Sequence, residues 1–273
     1  MRASPARSRS WPALPLALTL SLCASALAQT DSQTPTAQAP AVESVTKRLD
    51  PTDFKTKFET RLEYQSVRSG GSRTFLVPRF EYAFNKQVAA RIDVPYVWNN
   101  ATPQGVPSEQ GLGDVVLRVN YRALRGPGYA LVVGPEFVLN TAADPRLGFG
   151  KTLFAPVVFA SIAIPDYKSV LFPFVQQTWS IAGDPDRNDI NVTLLRLGVA
   201  TRWPDRYYSF LEPSLYIDWE RDGKTGFTLE LEVGRLVNNR LSLWARPGVG
   251  VWNNNLPQIY NWNFEVGLRY FMD

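Results

Sequence analysis

From Phe54 to Ser66 apolar and charged positions alternate with a period of two. Phe54, Phe58, Leu62 and Tyr64 fall on even positions, while Lys55, Lys57, Glu59, Arg61, Glu63 and Gln65 fall on odd ones. A strand turns successive side chains to opposite faces, so the segment is predicted to carry one oily wall and one ionised wall. Wound as a helix, it would ring its axis with charge and leave no apolar stripe.

The pattern recurs along the chain. Leu76, Phe80, Tyr82 and Phe84 oppose Arg79 and Glu81, and after Asn85-Lys86 the set Val88, Ala90, Ile92, Val94, Tyr96 and Trp98 opposes Arg91 and Asp93. Val115, Leu117, Val119 and Tyr121 oppose Asp114, Arg118, Asn120 and Arg122; past Gly126-Pro127-Gly128, Leu131, Val133, Phe137 and Leu139 oppose Glu136 and Asn140. Segments near 152 to 164 and 169 to 181 are apolar on both faces. Alternation returns with Leu195, Leu197, Val199 and Trp203 opposite Arg196 and Arg202, then Leu211, Leu215, Ile217 and Trp219 opposite Glu212 and Asp218. Phe227, Leu229, Leu231 and Val233 oppose Glu230 and Glu232, Leu241, Leu243, Val249 and Val251 oppose Arg246, and Trp262, Phe264, Val266, Leu268 and Tyr270 oppose Asn263, Glu265 and Arg269.

These segments predict an all-β fold of about twelve strands. Connections at 85 to 86, 125 to 128, 165 to 168, 204 to 206 and 238 to 240 are short; those at 68 to 72, 99 to 112, 142 to 151, 183 to 189, 220 to 225 and 253 to 259 are mostly longer. An even strand count with short turns at one end and longer loops at the other is the layout of a transmembrane antiparallel up-and-down barrel. Pro78, Pro95, Pro135, Pro156, Pro173, Pro213 and Pro247 fall inside predicted strands. Each lacks a ladder donor, so bulges or gaps are expected, and with them a weakened seam through which apolar solutes could leave sideways.

Alternation alone does not separate a soluble barrel from one in lipid. The placement of the rings does: Tyr64, Trp98, Trp219 and Trp262 cluster near the longer loops, and Phe84, Tyr121, Trp203, Tyr207 and Tyr270 near the short turns, as interfacial girdles require. The charged face carries both signs on almost every strand and is predicted to line a lumen. Its candidate residues are Glu59, Arg61, Arg79, Glu81, Arg91, Asp93, Arg118, Glu136, Arg196, Glu212, Glu230, Glu232, Arg246, Glu265 and Arg269. A basic residue turned to lipid at the midplane would cost roughly 2–4 kcal/mol, which fixes the register. Twelve tilted strands about 4.8 Å apart give a backbone diameter of roughly 24 Å. Such a lumen reads either as a salt-bridge ladder filling a narrow barrel or as a selectivity lining.

The first residues read as a targeting segment. Arg2, Arg7 and Arg9 precede an apolar stretch from Trp11 to Leu22, and Ala26-Leu27-Ala28 is a cleavage pattern, so residues 1 to 28 are expected to be a signal peptide. Cys23, the one cysteine, lies inside it after Leu22, which is too large for a lipoprotein signal. Residues 29 to 52, rich in Gln, Thr, Pro, Ala and Ser, are expected to be a flexible periplasmic lead, and 53 to 273 the barrel in the bacterial outer membrane. Without the signal the chain carries 26 basic and 25 acidic residues, so its charge gives no argument for nucleic acid. Gly267-Leu268-Arg269-Tyr270-Phe271-Met272 resembles the signal by which assembly machinery recognises the last strand of outer-membrane barrels, with Met272 where Phe is usual. Membrane lipid and a small-molecule solute are the other expected partners.

The chain has no histidine. Nucleophilic catalysis on the Ser-His-Asp plan lacks its base, zinc lacks its main nitrogen ligand, and neither enzyme activity nor a cofactor is expected. Gly150-Lys151-Thr152 imitates the end of a phosphate loop, but Pro145 stands where its first glycine belongs. Asp184, Asp186 and Asn188 imitate a calcium loop that lacks its glycine at Asp189 and its glutamate at Leu195, so a surface turn is expected.

At Gly111-Leu112-Gly113-Asp114, followed by Val115 to Leu124, the chain resembles the outer-membrane barrel family labelled for the MetA pathway of phenol degradation. The stretch Leu139-Asn140-Thr141 through Gly148-Phe149-Gly150-Lys151 is similar to that family's second signature, without its Pro-Thr-Gly. The resemblance implies a passive, transporter-like barrel for small solutes, aromatic or apolar compounds among them. A barrel that conducts nothing, serving structure or envelope assembly, is the alternative reading.

Overall fold

Alternating sequence becomes strand wherever one face can be buried against water or lipid. A computed structural model describes residues 48–67, 70–102, 105–252 and 256–272. Its strand segments are β1 Lys57–Ser66, β2 Ser72–Ala83, β3 Val88–Asp93, β4 Tyr96–Asn99, β5 Glu109–Leu112, β6 Val116–Gly126 and β7 Tyr129–Val138, then β8 Lys151–Ile164, β9 Ser169–Gly183, β10 Asn191–Arg202, β11 Tyr207–Asp218, β12 Lys224–Leu236, β13 Leu241–Trp252 and β14 Trp262–Phe271.

Segments β3 and β4 pair with β2 in one register, Arg79 opposite Asp93 and Leu76 opposite Tyr96, so they are halves of one strand interrupted at Val94-Pro95. Segments β5 and β6 likewise continue each other, interrupted at Gly113 to Val115. The 14 segments therefore make twelve antiparallel strands, and β1 closes the sheet by pairing along all 10 of its residues with both β14 and β2. A closed sheet leaves no free edge, the condition for crossing lipid with strands. The five short connections lie at one end and the six other connections at the opposite end, in the predicted alternation.

The faces are turned as expected. Leu62 is 45% exposed on the outer wall, while Glu59 on the same strand is 4% exposed inside. Tyr64 and Trp262 pair at one rim with ring centres 5.1 Å apart, and Tyr82 and Phe84 at the other at 4.9 Å. Trp98 is half-buried beside Tyr96.

In-strand prolines leave their mark on the ladder. Pairing of β6 with β7 lapses between Arg118–Glu136 and Tyr121–Val133, at Pro135. Pairing of β8 with β9 lapses twice, at Pro156 and at Pro173, that of β10 with β11 at Pro213, and that of β12 with β13 at Pro247. The other neighbour of each strand stays in register there; Pro135 even faces Pro156 across β7 and β8. A missing N–H empties one side of a strand only, so each proline loosens one seam and leaves the other intact.

Two details depart from the sequence reading. The expected loop 99 to 112 ends in a strand segment, β5, because Gly113 N–H donates to the Pro95 carbonyl at 2.8 Å and continues the ladder. Asp114, expected on the inward face of a strand, lies instead in the bulge where three residues, 113 to 115, oppose Val94-Pro95. Its carboxylate accepts backbone N–H groups from Thr141 at 3.1 Å, Ala142 at 3.0 Å and Phe149 at 2.7 Å. An added Cβ at Gly148 would lie 2.4 Å from that carboxylate, so the close approach requires glycine.

Residues 48 to 54 lie across the short-turn end of the barrel. Leu49 packs on Tyr208, Leu236, Trp244 and Phe271, all from β11 to β14. Phe54 is buried with Ala89, Val132, Val157 and Phe159 on the opposite wall, from β3, β7 and β8. Thr52 Oγ1 meets Ser161 Oγ at 2.9 Å, and Arg122 donates to the Thr52 carbonyl at 3.0 Å. Residues 48 to 52 belong to the stretch read as a polar lead; Phe54, read with the oily face of the first strand, is buried inside instead, because regular strand begins only at Lys57.

Candidate functional site

The inward face of the strands surrounds a cavity of about 560 Å³. All fifteen candidate lumen residues line it, together with Lys57, Glu63 and Gln65 of β1. Arg48, Leu49 and Pro51 bound it toward the short turns, and Gln258 and Tyr260 toward the longer loops. Tyr260 reaches inward because Leu256 and Ile259 tuck over Gly226, where an added Cβ would lie 2.7 Å from Ile259. The Tyr260 hydroxyl donates to Glu230.

Within the cavity the charges form a belt of alternating sign. Arg118 of β6 donates to Glu136 of β7 at 2.7 Å, and Arg91 of β3 shares that carboxylate at 2.9 Å. Arg91 lies 3.2 Å from Asp93, which Arg79 of β2 grips with two donors at 2.9 and 2.8 Å. Arg79 reaches Glu59 of β1 at 3.2 Å, Glu59 pairs with Arg269 of β14, and Arg269 reaches Glu232 of β12 at 3.5 Å. Arg246 of β13 pairs with Glu232, approaches Glu230 at 3.4 Å and Glu212 of β11 at 3.9 Å, and Glu212 ends the series on Arg196 of β10 at 3.5 Å. Of the other inward charges, Glu81 pairs with Lys57 at 3.3 Å, and Arg61 lies 3.8 Å from both Glu63 and Glu265.

The belt begins and ends on the same ring. The Arg118 guanidinium lies over the Phe174 face at 5.8 Å and that of Arg196 at 4.9 Å. Phe174 belongs to β9, which contributes no charge; beside it Gln176 reaches across β8 to Glu136 at 2.8 Å. Around Phe174 the wall is aromatic, with Phe159 stacked at 6.1 Å and Phe172 against Phe210 at 5.9 Å. Sequence reasoning singled out none of these rings. The signal for Phe159, Phe172 and Phe174 was the loss of alternation at 152 to 164 and 169 to 181, where apolar residues occupy the inward positions as well; Phe210 shares the inward parity of Glu212.

On the outer face a notch of about 350 Å³ lies over β9 to β12, with Pro173 and Pro213 among its lining residues. Leu195, Leu197 and Leu215 line it, and it reaches Phe174 and Arg196. The notch therefore backs onto the residues at which the belt is interrupted.

The longer loops are tied down by a second set of ions. Arg146 donates to Glu109 at 2.5 Å and to Asp144 through two donors at 2.8 and 2.9 Å, and Asn99 donates to the Arg146 carbonyl at 2.7 Å. The hydrogen bond from Arg146 lowers the Asp144 carboxyl to about 2. Lys151, in the phosphate-loop look-alike, enters β8 and pairs with Asp189 at 3.1 Å. No cluster of three or more potential metal ligands occurs among the described residues.

No protein-family model matches the chain, and no curated protein matches it in sequence. Similarity is found in the fold. An outer-membrane channel of the COG4313 group from Pseudomonas putida F1 superposes with a TM-score of 0.65 at 11% identity, covering 82% of this chain and 99% of that one. The KdgM porin gives 0.54 at 10% identity, with 78% and 98% covered. The translocator domain of the autotransporter NalP from Neisseria meningitidis gives 0.53 at 12%, with 84% and 92% covered. The chain thus shares the fold of these outer-membrane proteins, a closed antiparallel β-barrel, here of twelve strands. A channel, a porin and a translocator share this architecture, so the function rests on the lumen.

Proposed function

We propose that the barrel is a passive channel for small solutes whose belt of Arg and Asp/Glu residues discriminates among them, and that aromatic compounds are among its solutes. The observation that carries this reading is the cavity itself. At about 560 Å³ it falls in the range of small-molecule sites, roughly 300–1,000 Å³, and it combines an aromatic wall with convergent charges. Rings of fixed charge at a constriction select ions by sign, and an aromatic wall favours flat apolar bodies. The same architecture and the resemblance of its Gly111–Asp114 motif to a barrel family labelled for phenol degradation support it.

Single-channel recording in planar bilayers tests the proposal. The unmodified protein is expected to conduct. Glu136→Ala leaves Arg91 and Arg118 without their shared acid and is expected to shift selectivity toward anions; Arg118→Ala is expected to shift it the other way. A protein that inserts and passes no current would overturn the reading. The strap at 48 to 54 favours the competing one, a barrel closed at its periplasmic mouth.

A further inference from the structure

We infer that the interruption of the belt at Phe174 is a binding subsite for an aromatic carboxylate, a flat ring bearing one negative charge. The inference deepens the channel reading and rests on the lumen being a path for solutes.

The argument starts from the distribution of charge around the belt. Acids crowd the wall formed by β1 and β11 to β14, where Glu59, Glu63, Glu212, Glu230, Glu232 and Glu265 face the cavity. On the opposite wall the balance reverses. Glu136 is shared by two guanidinium groups, those of Arg91 and Arg118, and β8 and β9 add no acid. Arg196 holds Glu212 only at 3.5 Å, and Glu212 is shared with Arg246. Its Nε is buried without an acceptor, as are those of Arg91 and Arg246, but its side chain, 30% exposed, is among the most open in the belt. Three guanidinium groups therefore converge on this wall against one whole carboxylate, Glu136, and shares of two others, Asp93 with Arg79 and Glu212 with Arg246.

Phe174 stands between the two ends of the series, with Phe159, Phe172 and Phe210 around it. A ring laid in this wall would stack on Phe side chains, and its carboxylate would pair with the open part of the Arg196 guanidinium, which holds Glu212 only at 3.5 Å, with Arg118 across Phe174 to add charge. The incoming anion would stand where the next carboxylate in the alternating series belongs. A cation would meet converging guanidinium groups, and an aliphatic anion would leave the aromatic wall unused.

Calorimetric titration of the full chain in detergent micelles, with benzoate, benzyl alcohol, acetate and benzylammonium as probes, tests this independently of conduction. Benzoate is expected to saturate a single site, with benzyl alcohol and acetate each binding about tenfold or more weakly, the loss of one hydrogen bond to a charged group or of one stacked ring. Benzylammonium is expected not to bind. Arg196→Gln is expected to lower benzoate affinity about tenfold while leaving that of benzyl alcohol in place. Benzoate binding no tighter than acetate, or unchanged in a folded Arg196→Gln protein, would overturn the subsite. Should Arg196→Gln fail to fold, the four probes on the unmodified protein decide the matter. Benzoate bound by a barrel that passes no current would support the subsite and defeat the channel; current without preference for benzoate would do the reverse.

Discussion

Asp114 shows how one side chain can be misplaced by a correct pattern. It follows two glycines and precedes Val115 in a run that alternates, so it reads as one more inward charge. Pro95 opposite it has no N–H to offer, the ladder bulges, and the carboxylate turns to three backbone donors of the loop at 139 to 150. The two stretches behind the family resemblance thus meet through a single group, and Gly148 is small because that group is against it. Hydrogen bonds to a charged acceptor contribute about 1.5–3 kcal/mol each. Asp114→Ala is therefore expected to lower the thermal unfolding midpoint and to open residues 139 to 150 to protease, while Asp144→Ala, at an exposed ion pair, changes the midpoint little. Equal cleavage of Asp114→Ala and the unmodified chain would show that the loop is held by something else.

The element that matters most beyond the strands is the strap. Apolar anchors on opposite walls, the half-buried Leu49 at one and the buried Phe54 at the other, hold it across the mouth with little help from regular hydrogen bonding. Truncating a buried Leu or Phe to Ala costs about 2–5 kcal/mol. Much of that loss falls on the strap, because the strands remain joined without it. Leu49→Ala with Phe54→Ala is expected to raise single-channel conductance and to speed hydrogen exchange at Thr52 without lowering the β-sheet signal in circular dichroism. Unchanged conductance would place the constriction elsewhere, at Tyr260 and Gln258. The strands that carry proline follow the same economy of contacts: each proline loosens one seam, and Pro173 and Pro213 themselves line the outer notch.

At the scale of the whole molecule the barrel is an inside-out protein, with Leu62, Phe80, Val119, Val175, Leu195 and Phe264 exposed on its outer wall and carboxylates buried within. That arrangement is stable only with lipid outside and paired charge inside. Leu62→Arg, near the middle of β1, is expected to destabilise the barrel in a bilayer by roughly 2–4 kcal/mol, measured by reversible unfolding from vesicles. An effect near zero would mean that this face does not contact acyl chains.

Alternation, with the turn residues at 165 to 168 that separate the two segments apolar on both faces, determined the strand number, the hairpin order, the alternation of shorter and longer connections and, Asp114 excepted, which of the candidate charges face inward, because in a regular strand the side chain's direction follows from its parity. It could not place Phe159, Phe172 and Phe174 in the lumen, since a segment apolar on both faces has no parity to read. Nor could it show that Arg118 and Arg196, 78 positions apart in the chain, end one series of ion pairs on one ring. Closure of the sheet decides that: it brings β6, β9 and β10 around a common axis, and partners across a lumen are set by the geometry of the circle rather than by distance along the chain.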